Sequence, residues 1–224
     1  MKRFSLSQED REAIRDATAE VEKTTAGEIA TAIVKESADY AFYELRAALI
    51  GGFLSFLAML YFYDSISIWL DELFWDFTPV YSASFMGIVV IVVTGLLYIL
   101  SNIPGADRFL VPGKIISQQV RQRALRYFIE AGITDTKERT GILIFISYRE
   151  KRIELIADSG INKLIPKEKW NTIVDSIIKD IREKRTAEGL VKAINECGKL
   201  LTEHFPIQSD DTNELSNDIN ILED

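Results

Sequence analysis

Cysteine and histidine are nearly missing from this chain. It has one of each, Cys197 and His204. A single cysteine excludes an intrachain disulfide and a thiolate-built zinc cluster. A single histidine excludes a His-rich metal site and leaves His204 as the sole candidate for any Ser-His-Asp arrangement. His204 falls near a predicted helix C-terminus, where the dipole favours a cation, and Cys197 lies on an apolar helix face that reads as core. Positive charge is also scarce. There are 26 Lys and Arg against 34 Asp and Glu, a net charge of -8. A nucleic-acid binder needs a basic face to neutralise phosphates, so that class is excluded. Six of the acidic residues lie in 207–224, which has no Lys or Arg, so the rest of the chain carries only -2. There is no P-loop, no Gly-x-Gly-x-x-Gly and no nucleophile elbow. The start, Met1-Lys2-Arg3-Phe4-Ser5, leads into a polar helix, so no secretory signal peptide is expected.

Two stretches lack charge altogether, 47–63 and 83–100. A helix rises about 1.5 Å per residue and a bilayer core is about 30 Å thick, so each run is long enough to span. The connection, 64–82, has no Lys or Arg but holds Asp64, Asp71, Glu72 and Asp76. Lys35 and Arg46 flank the pair on one side, and Arg108, Lys114, Arg121, Arg123 and Arg126 on the other. Positive charge stays inside, which predicts an integral cytoplasmic (inner) membrane protein with both termini cytoplasmic and the connection outside. Trp69, Phe74, Trp75, Phe77 and Tyr81 suit an interfacial aromatic belt. No ionisable residue lies within a span, so no ion or proton pathway is implied. Small residues one turn apart, at Ala48/Gly52, Gly51/Ser55 and Ala83/Gly87, favour packing of the two spans on each other over a homo-oligomer face. Arg121, Arg123 and Arg126 suit anionic lipid headgroups.

The remaining elements follow from periodicity. Ser7–Lys23 reads as a helix whose start, Ser7 with Asp10, resembles a capping box. Residues 28–35 read as a strand apolar on both faces. A helix over 114–131 ends at Gly132, a natural C-cap. Gly141–Ser147 is a continuous apolar run, read as a central strand, and Arg152–Ala157 alternates as its hairpin partner. Glu168–Lys184 is the clearest helix, with Trp170, Ile173, Ile177 and Ile181 on one face. Thr186 is expected to cap the last helix, which Pro206 ends. The tail from Ile207 reads as mostly disordered by composition, with Leu215, Ile219 and Leu222 at helical spacing as one amphipathic segment able to dock. The order predicts a βαβ crossover with the hairpin inserted in it. The expected fold is an α/β/α sandwich on a small mixed sheet, assembled from residues 1–40 and 105–206 and interrupted by a transmembrane hairpin over 47–100.

Arg139-Thr140-Gly141-Ile142-Leu143-Ile144-Phe145-Ile146-Ser147, then Arg149–Leu155 and Asp158-Ser159-Gly160-Ile161, resemble the central hairpin of the TPM domain family. Leu6-Ser7 with Asp10, Thr24 with Gly27-Glu28-Ile29-Ala30, Ile181-Arg182 and Glu188-Gly189-Leu190 resemble that family's flanking elements. The resemblance implies the α/β/α sandwich just described. It also implies a role like that of the family's photosystem-repair and receptor-modulating members, or the acid phosphatase activity and calcium binding ascribed to others. The inserted hairpin resembles a bacterial membrane-anchored subgroup. The chain departs from the family where Asp158-Ser159-Gly160-Ile161 replaces Gly-x-Gly-[Leu/Ile] and where Pro166-Lys167 replaces an acidic position.

A phosphatase needs a carboxylate as nucleophile or as ligand of an activating Mg2+ or Ca2+. Asp158 is the candidate for both roles, since it ends a strand at a loop closed by Gly160. Glu28, starting the first strand and expected at the other end of the sheet, and Arg139, able to pair with a phosphate oxygen, complete the candidate catalytic set. The ordinary alternative makes Asp158 a loop cap, Glu28 a turn cap and Arg139 a surface ion-pair partner. The sequence therefore points first to a non-enzymatic, membrane-anchored domain that binds, assembles or repairs another membrane protein. A divalent-metal-dependent phosphomonoesterase at the cytoplasmic membrane face is the alternative. The expected partners are the lipid bilayer and another membrane protein, with a homo-oligomer as a further arrangement.

Overall fold

The computed structural model describes residues 6–103, 105–207 and 213–222. The chain divides into two compact units, Met1–Ala38 with Ser117–Asp224, and Asp39–Ile116.

The first unit is built on a four-stranded mixed sheet in the order β3-β2-β1-β4. Strand β1 (Glu28–Val34) pairs in parallel with β2 (Gly141–Ser147), from Glu28 opposite Gly141 to Val34 opposite Ser147. Every residue of both strands is buried, as their unbroken apolar runs require of central strands covered on two faces. Strand β3 (Arg152–Ala157) returns antiparallel along β2. A parallel neighbour needs a crossover, and here the crossover carries the whole second unit.

Helix α1 (Gln8–Glu22) starts at the expected capping box. The Ser7 hydroxyl accepts the Asp10 N–H at 3.0 Å, and the Asp10 carboxylate accepts the Ser7 N–H at 2.9 Å. Helices α8 (Lys167–Arg182) and α9 (Thr186–His204) join α1 on one face of the sheet. Ile14, Ile177, Ile194 and Cys197 close there over Ile29, Ile33 and Ile144. Strand period two sends Leu143 and Phe145 to the other face. Helix α6 (Gly113–Glu130) covers that face with buried Val120, Ala124 and Phe128, and its Tyr127 ring lies 6.5 Å from that of Phe145. Gly132 ends α6 in the left-handed region, φ 68°, as a C-cap glycine does. The cap expected of Thr186 is absent. Arg185 precedes α9 and its side chain holds Asp180 at 2.6 Å instead.

The tail differs from expectation. Among the described residues, 213–222 are not a helix. Asn220–Leu222 form strand β4, parallel to β1, with Ala32 opposite Asn220 and Val34 opposite Leu222. The Leu215, Ile219 and Leu222 spacing fits a helix, but β1 has an open edge whose backbone groups need partners, and the tail supplies them. Residues 208–212 and 223–224 of the expected tail lie outside the described residues.

The second unit is a helical hairpin. Helix α2 (Ala41–Tyr61) packs against α4 (Pro79–Ser101), α3 (Tyr63–Leu73) occupies much of the connection, and the short α5 (Asp107–Leu110) follows α4. The small residues of α2 serve that packing. A Cβ on Gly52 would fall 2.0 Å from Thr94 Oγ1, and one on Gly51 would fall 2.2 Å from Leu97 Cδ1, whereas one on Gly87 would meet nothing within 4 Å. The Phe74 and Tyr81 rings stack at 5.2 Å, and Ser67 and Ser82 hydroxyls bond at 3.0 Å. By length and composition both α2 and α4 are able to cross a membrane, and the most apolar windows of the two are only 11% and 6% buried.

Gly52→Leu is expected to force α2 from α4 at an overpacking cost of about 1–3 kcal/mol. Gly87→Leu is expected to cost little. Thermal unfolding in detergent, followed by circular dichroism, compares them; equal midpoints would show that Gly52 does not set the helix spacing.

Candidate functional site

The antiparallel return of β3 decides where the candidate residues fall. Glu28 pairs with Gly141 at the start of the parallel strands, and the Asp158 N–H donates to the Gly141 carbonyl at 2.9 Å. Glu28, Gly141 and Asp158 therefore cross the sheet in one line at one end. The expectation that Glu28 and Asp158 sit at opposite ends is wrong, because β3 runs antiparallel to β2 and its finish lies level with the start of β1, across β2. They remain two strand spacings apart, roughly 10 Å between backbones.

Asp158 caps the short helix α7 (Ser159–Asn162), its Oδ1 accepting the Ser159 N–H. It is 7% exposed, and its Oδ2 is buried without a hydrogen-bond partner among the described residues. Arg139 is brought close through its backbone. Its carbonyl accepts the Gly160 N–H at 3.2 Å, while its side chain is exposed and its φ is 57°. Gly160 makes this approach possible, since a Cβ there would lie 2.6 Å from the Arg139 oxygen and 2.8 Å from that of Glu138. Among the described residues no three His, Cys, Asp or Glu side chains group closely enough to hold an ion.

Glu28 has a neighbour that sequence reasoning missed. Glu22, at the end of α1, accepts the Ile29 N–H at 3.2 Å and hydrogen-bonds the Glu28 carboxylate. Burial, then the Glu28 charge, push Glu22 up to about 8, so the pair holds a proton at neutral pH. The tail closes over it. The Glu214 N–H donates to Glu28 Oε1 at 3.1 Å, and the Asn213 amide reaches Glu22 Oε2 at 3.4 Å. The Glu214 carboxylate in turn takes the Lys137 N–H at 3.0 Å. The six-residue gap between Glu22 and Glu28 signals nothing in the sequence; the turn at Thr24–Gly27 folds one onto the other.

The opposite end of the sheet carries a second polar cluster, also unforeseen. Glu150 is buried and accepts the Ser147 hydroxyl and, at 2.8 Å, the Ser37 N–H; the two serine hydroxyls bond at 2.9 Å. Arg149 pairs with Glu36. These contacts fix the segment leaving β1 to the β2–β3 turn. The turn at 148–151 is thus a tie as well as a reversal.

The remaining candidates take their ordinary roles. Cys197 is fully buried, and burial pushes its thiol up to about 12, out of nucleophile range. Arg121 pairs with Glu154 at 3.1 Å and Arg123 with Glu130 at 3.7 Å, which occupies two of the three α6 arginines expected at lipid.

Residues 109–200 match the family model described as the TPM domain. Among solved structures, the NMR structure of the BA42 protein from the psychrophilic bacterium Bizionia argentinensis covers 99% of this chain and 99% of its own at a TM-score of 0.59. Its sequence is 21% identical, so the likeness establishes the fold alone. No functionally curated protein matches the chain.

The Glu22 carboxyl is raised, so its contribution to stability is present at low pH and is lost as pH climbs toward and through about 8. The thermal midpoint should fall between pH 5.5 and 8.5, and Glu22→Gln should flatten that fall. An identical pH profile in the variant would remove Glu22 as the cause. Gly160→Ala is expected to cost about 1–3 kcal/mol, measured by chemical unfolding, because backbone oxygens meet the new methyl.

Proposed function

We propose, from the premise that this chain belongs to the TPM domain family, that it is a membrane-anchored binding module which assembles or repairs another membrane protein. The observation that carries this reading is the α2–α4 pair. It interrupts the α/β domain within its β1–β2 crossover and leaves apolar faces exposed, with Phe53 at 60% and Ile91 at 73%. An apolar surface of that length suits lipid. The Lys and Arg distribution supports a cytoplasmic α/β domain, cytoplasmic termini and an outer α3 connection at the inner membrane. A bilayer and a membrane protein are then its partners.

A second reading, a phosphomonoesterase at the cytoplasmic membrane face, draws on one observation. Asp158 keeps a buried, unpartnered Oδ2 in a loop closed by Gly160. Glu28 lies two strands away and is engaged with Glu22 and the tail, and Arg139 offers its carbonyl to Gly160. The three do not converge on a phosphate. Binding is therefore the better reading.

The test has two arms. Membranes washed in alkaline carbonate should retain the chain, and crosslinking in those membranes should join it to one membrane protein. Release into the wash would end the anchored reading. The detergent-solubilised chain should show no phosphomonoester turnover, with or without Mg2+ or Ca2+, beyond an Asp158→Asn variant. Metal-dependent turnover lost in that variant would establish the enzyme instead.

A further inference from the structure

We propose that the β1 edge is a docking site for an extended segment of the partner protein, and that residues 213–222 are an internal strand that occupies it and must be displaced. This rests on the binding-module reading and names its surface.

Strand β1 has seven residues, but β4 pairs with only three of them, Ala32–Val34. A three-residue pair is too short to hold by itself, and strands that add to an exposed edge gain affinity from the same backbone bonds. Before the strand, the tail lies along the rest of β1 without ladder pairing. It is tied there by Glu214 to Glu28 and by Asn213 to Glu22. Between the tail and α6 runs a groove of about 440 Å³, lined by Ala30, Tyr127 and Ile133 from the domain and by Leu215, Asn220 and Leu222 from the tail. Removing the tail would open both the edge and this groove. The incoming segment would match what the tail presents. It would be extended, apolar at alternate positions, with an uncharged amide or hydroxyl toward the two glutamates.

The glutamate pair makes the occupancy respond to pH. Glu22 faces Glu28 from β1, Asn213 and Asn217 from the tail, and the Ile29 N–H, while the Glu214 N–H of the tail goes to Glu28. Glu28 lies on β1 and the Glu214 carboxylate takes the Lys137 N–H, so what opposes ionisation of Glu22 under the tail is above all its shielding from water, which the Asn213 and Asn217 amides only partly offset. Arg15 on α1 attracts Asp218 of the tail. Its proton kept, Glu22 holds the tail; its proton lost, the tail loosens.

The test uses the full chain in detergent micelles and a fluorescein-labelled peptide of residues 213–222. Wild type should bind the peptide roughly tenfold or more tightly at pH 8.5 than at pH 5.5, and Glu22→Gln should remove most of that change. Ala32→Cys with Asn220→Cys places a disulfide across opposed residues and should abolish binding until it is reduced. Equal peptide binding by the oxidised and reduced forms would overturn the proposal, as would no binding by wild type at pH 8.5. A wild-type chain that turns dimeric at pH 8.5 without taking peptide would assign the edge to a second copy's tail and also overturn it. Should the double-cysteine chain fail to fold, hydrogen exchange on wild type serves. Amides of Asn220–Leu222 and Ala32–Val34 should lose protection together, relative to Gly141–Ser147, as pH rises; unchanged relative protection would sink the idea. Crosslinking in membrane is independent of the peptide result, so failure of the docking edge and failure of the binding-module reading are separable.

Discussion

The parallel pairing of β1 with β2 is the constraint on which the α/β unit depends. Seven register pairs hold together two segments that the whole hairpin unit separates in sequence. Closing so long a loop costs entropy, though the cost grows only slowly with length. The return comes from burying both strands on both faces. One face closes under α1, α8 and α9, the other under α6. Because every side chain of the pair is inside, polar groups collect at its two ends.

Those ends differ in chemistry. At the finish of β1 and β2, Glu150 has donors from Ser147 and Ser37, so its burial is compensated. At the start, half-buried Glu22 and buried Glu28 meet as two acids, and one of them retains a proton to do so. The first end is a tie between loops. The second is closed by the tail, which gives the Glu214 N–H to Glu28 and the Asn213 amide to Glu22.

The α/β fold thus carries an apolar helical pair within its β1–β2 crossover and a C-terminal strand on the edge of β1. Each alters what the sheet can meet. The hairpin offers apolar faces that suit a bilayer, and β4 covers the backbone groups by which another chain could join β1. The α/β unit keeps an ordinary hydrophobic interior throughout, with Cys197 as part of it.

Local pattern was enough to determine the long helices, the central strands and the two long apolar helices, though not the short helices α3 and α7, because periodicity, capping and uncharged runs act over a few residues. Ser7 with Asp10, Gly132 and Gly141–Ser147 all did in three dimensions what their neighbours in sequence imply. The βαβ order also followed, since parallel strands need a crossover. The tertiary structure alone decided which ends meet. Strand direction set Asp158 at the same end of the sheet as the start of β1, the fold of Thr24–Gly27 set Glu22 against Glu28, and an open sheet edge turned the tail from its helical spacing into strand β4. Each of those depends on contacts between residues far apart in the chain, where composition and spacing carry no information about partner or direction.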